Sequence, residues 1–116
     1  MNVSFKGIGE MAVTFKTTGT VKIGDPVKLS ANGTVTACSE DDRFCGIVLF
    51  TSGDGFATVQ LKGYTVAEYS GSAPSVGFGY LLADGDGGVA VDADKTGDEY
   101  LIIEVDTTAG TVGFYM

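Results

Sequence analysis

Apolar and polar residues alternate in short stretches along this chain, and no window of eleven residues holds a helical period. The alternation predicts strands at Ala12–Phe15, Pro26–Leu29, Thr34–Ala37, Phe44–Phe50, Phe56–Leu61, Tyr64–Glu68, Tyr80–Ala83, Val89–Val91, Tyr100–Val105 and Thr111–Tyr115. Asn32-Gly33, Asp54-Gly55, Asp84-Gly85 and Ala109-Gly110 fall between them and read as tight turns. A spacing of roughly 8–12 residues between strands argues for a sandwich or barrel. Phe44–Phe50 and Tyr100–Val105 are nearly continuous apolar runs, so they are expected to be central strands buried on both sides.

The pattern repeats once. Val21–Val35 holds a Gly, an apolar strand, an Asn-Gly turn and a Val strand, and Pro74–Val89 holds the same series with Asp-Gly turns. Gly24 to Gly77 and Val59 to Val112 share an offset of 53. The expected fold class is therefore all-β: a small β-barrel or sandwich of about ten short strands built from two similar β-units, with an extended N-terminal arm. The arm is 1–20 with one strand, and 21–116 is a single β domain with repeat units 21–61 and 74–116. The arm carries Val3, Phe5, Ile8, Met11, Val13 and Phe15. Its Met11–Phe15 part is expected to pair with the barrel, and Met1–Gly9 to order only against a partner. Val3, Phe5, Ile8 and Met11 are the expected partner-binding residues.

Composition narrows the function classes. At 116 residues and 44% hydrophobic, the chain is one ordinary domain and not a disordered segment. No apolar run approaches the roughly 18 residues of a membrane span, and the first residues lack a signal-peptide pattern, so no membrane association is expected. Fifteen acidic residues against seven basic ones give −8, which sets nucleic acid aside as a partner. There is no His, so a Ser-His-Asp or Cys-His device and any His-ligated metal are ruled out.

The remaining candidates for chemistry are carboxylates and two thiols. Asp84-Gly-Asp86-Gly-Gly88, with Asp92 and Asp94, begins like a calcium loop, but Gly88 and Lys95 stand where the fifth and twelfth positions need oxygen ligands. The segment reads as a solvated turn with no metal. Glu40-Asp41-Asp42 are consecutive turn residues that point apart, unlike the facing carboxylates of a glycosidase. Gly77-Phe-Gly79 and Gly85–Gly88 lack the Lys and helix start of a phosphate loop. No catalytic residue, cofactor or metal is expected, and the chain reads as a non-enzyme. A hairpin centred near Asp41 and Asp42 would set Cys38 opposite Cys45 and permit a cross-strand disulfide; the plainer reading is two small buried thiols in a reducing cytosol.

Gly24-Asp25-Pro26-Val27-Lys28-Leu29 through Asn32-Gly33-Thr34-Val35, then Gly46-Ile47-Val48, Gly53-Asp54-Gly55, Ala57-Thr58-Val59 and Gly63-Tyr64, resembles the capsid decoration, or cement, proteins of tailed phages and prophages. The resemblance covers most of residues 12–105. It implies a small β-barrel on the outside of a phage head, often trimeric, that clamps major capsid subunits. The partners would be the major capsid protein and further copies of this chain as a homotrimer. The protein would be made in the bacterial cytoplasm and end on the virion exterior. Met1–Thr20 resembles the family's N-terminal arm. The competing expectation is a carbohydrate-binding or adhesion β-module, which needs a row of exposed aromatics or a calcium site.

Overall fold

A computed structural model describes residues 10–116, and all regular structure in them is β. The strands are β1 (Met11–Thr17), β2 (Pro26–Ala31), β3 (Thr34–Ala37), β4 (Gly46–Thr51), β5 (Phe56–Lys62), β6 (Tyr64–Ser70), β7 (Gly77–Ala83), β8 (Val89–Val91), β9 (Asp98–Asp106) and β10 (Thr111–Tyr115). Each predicted strand overlaps one of these, because half-buried alternation is a direct imprint of a wall with one wet and one dry face. The glycines of the four predicted turns, Gly33, Gly55, Gly85 and Gly110, all take positive φ.

The strands close into two barrels in tandem. The first runs β1-β3-β2-β4-β5 and the second β6-β8-β7-β9-β10, the same order with each index raised by five. In each, the first strand is parallel to the third and antiparallel to the fifth. Met11–Thr17 is thus a stave of the first barrel, paired along its length with β5. Bulges make the sequence offset between the units drift. Thr17 pairs with Val35 as Tyr69 pairs with Val89, and Phe15 faces Ala57 as Ala67 faces Val112. The first barrel therefore places Ala57, not Val59, where the second has Val112.

The cores are unequal. Val27, Val35, Val48, Ala57 and Val59 fill the first barrel. The second holds Ala67, Leu81, Ala83, Val89, Tyr100, Ile102, Val112 and Phe114, and this cluster also takes in Phe44 and Ile47 from the first unit. Phe44 lies ahead of β4, in the connection from β3, with 4% of its surface exposed. Its ring stacks on Tyr100 at 5.4 Å and 8° and meets Phe114 edge-on at 6.1 Å. Tyr100 meets Phe114 edge-on at 5.1 Å, which closes an aromatic triangle.

Two expectations change here. Neither apolar run is buried on both sides: Phe50 in β4 and Leu101 in β9 face outward. A single-layer barrel wall has one dry face, so a continuous apolar run puts half its side chains in water. The second concerns Cys38 and Cys45. β3 and β4 are not hairpin partners, because both pair with β2, on its opposite sides. Both thiols are free, as the plainer reading expects, but only Cys38 is half-buried and Cys45 is exposed.

Phe44→Ala is expected to lower unfolding free energy by about 3–5 kcal/mol, the usual cost of emptying a buried phenylalanine site. Phe50→Ala, outside the barrel wall, should change it by less than about 0.5 kcal/mol. Urea titration of the two variants against the parent checks both.

Candidate functional site

The segment from Cys38 to Cys45 is tied both to β2 and to the second barrel. It leaves β3 on one side of β2 and enters β4 on the other, so it must cross β2. The Cys38 N–H donates to the Pro26 carbonyl and the Cys45 N–H to the Val27 carbonyl, which ties both ends of the crossing to β2. Asp42 holds its middle: its Oδ2 accepts from Lys28 Nζ at 2.5 Å and from the Ser39 N–H at 2.8 Å. Asp41 takes a left-handed conformation (φ 66°) at the apex. The apex then adds backbone bonds to the second barrel. The Asp41 N–H donates to the Ala83 carbonyl, and the Ala83 N–H to the Asp42 carbonyl. Arg43 Nη2 completes the dock at 2.7 Å from Asp98 Oδ1.

Charges follow this geometry. The hydrogen bond to Lys28 holds the Asp42 carboxyl below its ordinary range and lifts Lys28 in return. The hydrogen bond to Asp98 lifts Arg43. Burial pushes the Cys38 thiol up to about 12, and burial raises Cys45 too. A thiol with a raised pKa carries little thiolate at neutral pH, so neither cysteine is an activated nucleophile.

The carboxylates singled out in the sequence are local fasteners. Asp84 Oδ1 accepts from the Asp86 and Gly88 N–H groups at 2.7 and 2.9 Å, and its Oδ2 from Ser70 Oγ at 2.6 Å. Burial pushes Asp84 up, but these bonds outweigh it and leave the carboxyl below the ordinary range. Asp92 Oδ2 accepts from the Gly97 N–H at 2.7 Å, which lowers its pKa, and Thr96 Oγ1 also donates to it. The structure therefore places Asp84 and Asp86 in one turn and Asp92 in the next loop. Among the described residues no three His, Cys, Asp or Glu side chains gather as a metal set.

Of the expected partner-binding residues, Val3, Phe5 and Ile8 lie outside the described residues. Met11 opens β1 opposite Lys62, half-exposed at 49%. Leu29, Phe50, Phe56, Val76 and Phe78 are exposed large apolar residues that sequence reasoning did not single out. Phe78 is the most open at 75%, and it pairs across strands with Leu101. Alternation alone assigns faces but not which face is wet, so these carried no separate signal.

The motifs behind the family resemblance are folding grammar. Gly24 (φ 93°) turns the chain, its N–H donates to the Val48 carbonyl, and Asp25 Oδ2 caps the turn from the Lys22 N–H. Pro26 then opens β2 and Val27 enters the core with no exposed surface. At Gly46 a Cβ would run into the Gln60 carbonyl and the Val59 side chain, so only glycine lets β4 lie this close to β5. A shallow cleft of about 220 Å³ separates the barrels, bordered by Lys22, Asp25, Cys38, Ala83 and the Gly85–Gly88 turn. No model of a known protein family matches the chain, and no curated protein matches it.

Asp42, Asp84 and Asp92 are all held below their ordinary range in the folded chain. As pH falls the unfolded chain takes up these protons first. The stability they supply is therefore whole above about pH 4, the unfolded carboxyl value, and is lost as pH falls through the lower folded values. The melting temperature, followed by circular dichroism, should stay level from about pH 7 to about pH 5 and drop below about pH 4. Asp84→Asn should shallow that acid limb. Calcium at about millimolar concentration should leave the melting temperature unchanged, since an ion that binds the folded state must raise it.

Proposed function

We propose that this protein is a non-enzymatic structural component of a phage particle that binds the outside of the head and stabilises the major capsid lattice. The observation that carries this reading is a division of labour among side chains. The acidic groups that could do chemistry, Asp42, Asp84 and Asp92, are consumed by turns, while Phe50, Phe56 and Phe78 stand in solvent on the outer walls and Val76 does so just ahead of β7. A protein built this way acts through its surface. The strand-and-turn grammar from Gly24-Asp25-Pro26-Val27 to Gly63-Tyr64 supplies the likeness to capsid cement proteins.

A role on a lattice suits this surface. Many identical copies on a symmetric shell turn modest single contacts into strong attachment. A charge of −8 keeps the protein soluble and away from the packaged nucleic acid. The partners on this reading are the major capsid protein and further copies of the chain, as a homotrimer on the head. The final location is the virion exterior, after synthesis in the bacterial cytoplasm. The anchor is the N-terminal segment with Val3, Phe5, Ile8 and Met11, because its apolar side chains need a groove or sheet edge to settle against.

Deleting residues 1–9 should leave the melting temperature of the isolated protein within a few degrees of the parent and abolish co-sedimentation with empty phage heads. Undiminished binding by the truncated chain would move the anchor onto the barrel walls. No binding by the full chain to heads from the same phage would sink the reading.

A further inference from the structure

The protein's net charge is lodged in one half of the chain. Residues 1–62 hold six acidic and six basic residues, while residues 64–116 hold nine acidic residues and one basic residue, Lys95. The whole of the −8 therefore belongs to the second unit. Its strands β6, β7, β9 and β10 contain no Lys or Arg. Lys95 stands at their rim, with its Nζ 6.0 Å from the centre of the Tyr80 ring.

These strands share an outer wall on which strand register sets apolar and acidic side chains side by side. Phe78 of β7 lies opposite Leu101 of β9, which in turn lies opposite Tyr115 of β10. Phe78 is 75% exposed and Leu101 41%. Glu99 comes two residues before Leu101, about 7 Å away along the strand. Beyond the other side of the row, Glu104 lies opposite Gly113. Both glutamates are exposed. The ion pairs among the described residues, Lys28–Asp42 and Arg43–Asp98, use neither of them.

An exposed apolar row bordered by carboxylates has the layout of a contact surface, with rings at the centre to be desolvated and charge at the rim to orient a partner. The charge also selects that partner. It repels nucleic acid and anionic lipid, and a second copy, itself at −8, brings like charge. We propose that this wall, centred on Phe78 and Leu101, is a docking face for a protein surface of opposite make-up, an apolar strip bordered by Lys or Arg. On the capsid reading, on which this inference rests, that surface is the outside of the head shell. The wall then supplies a second contact beside the N-terminal segment, and two linked contacts on one copy multiply rather than add. The first unit, with its charges in balance, carries no such bias.

The test is co-sedimentation of the full chain with empty phage heads at about 50 mM and about 500 mM salt. The parent should bind several-fold more weakly at the higher salt, because screening removes attraction between exposed charges. Glu99→Lys combined with Glu104→Lys should cut binding about tenfold at low salt and flatten the salt dependence. Phe78→Ser should cut it about tenfold at both salt concentrations, as loss of a central aromatic anchor does. Phe50→Ser, on the first barrel, is the control and should bind within about twofold of the parent. The wall variants replace exposed side chains, so their melting temperatures should stay within a few degrees of the parent; the glutamate pair carries the test if Phe78→Ser fails to fold. Wall variants that bind like the parent overturn the assignment and leave the capsid reading standing. An equal loss in Phe50→Ser also overturns it, since the effect is then not confined to this wall. Self-association of the isolated parent that Phe78→Ser abolishes overturns it by giving the wall to a second copy. A parent that fails to bind heads sinks the capsid reading and this assignment together.

Discussion

The insertion of Phe44 between Tyr100 and Phe114 makes two barrels into one molecule. The first barrel closes on small side chains, four of its five core residues being valines, and lends the ring of Phe44 to its neighbour. The second barrel's core takes that ring in beside Tyr100 and Phe114. The repeat is therefore symmetric in topology and asymmetric in use. The loop that reaches outward in the first unit is Cys38–Cys45, whereas its counterpart in the second, from Asp92 to Gly97, is cinched onto itself by Asp92.

Much of the fold was legible in the sequence. Alternation marked all ten strands because a barrel wall has one dry face, and Asx-Gly pairs marked the turns because the chain there needs positive φ. What stayed hidden were relations between distant strands. Nothing local shows that β3 returns beside β1 in parallel, or that β2 separates β3 from β4. Phe44 was misread for the same reason. It abuts the apolar run of β4, so it looked like the first residue of that strand, while its role is set by Tyr100 and Phe114 far along the chain. Cys38 and Cys45 looked like facing hairpin positions because a polar turn lies between them, and only the strand order separates them.

The acidic residues show how composition and placement differ. Read as a total, they say only that the chain carries a net charge of −8. Read in place, many close turns: Asp25 after Val21, Asp42 over β2, Asp84 at the β7–β8 connection, and Asp106, whose Oδ1 accepts from the Thr108 and Ala109 N–H groups. A carboxylate is well suited to this, since it accepts several N–H groups and its charge strengthens each bond. In Asp84, Asp92 and Asp106 an oxygen is thereby turned toward the backbone of its own loop. The outer walls, by contrast, expose Phe50, Phe56 and Phe78 to solvent.

The order of the plug and its socket along the chain also bears on how the molecule is made. Residues 10–62 leave the ribosome first, and the first barrel draws on no core residue from later in the chain. Its Phe44 loop is thus presented before its socket exists. The socket needs Phe114, from β10, so the nascent chain displays an unsheltered aromatic side chain until β10 emerges. During that interval the growing protein is at its most adhesive, and neighbouring ribosomes on one message hold identical loops close together.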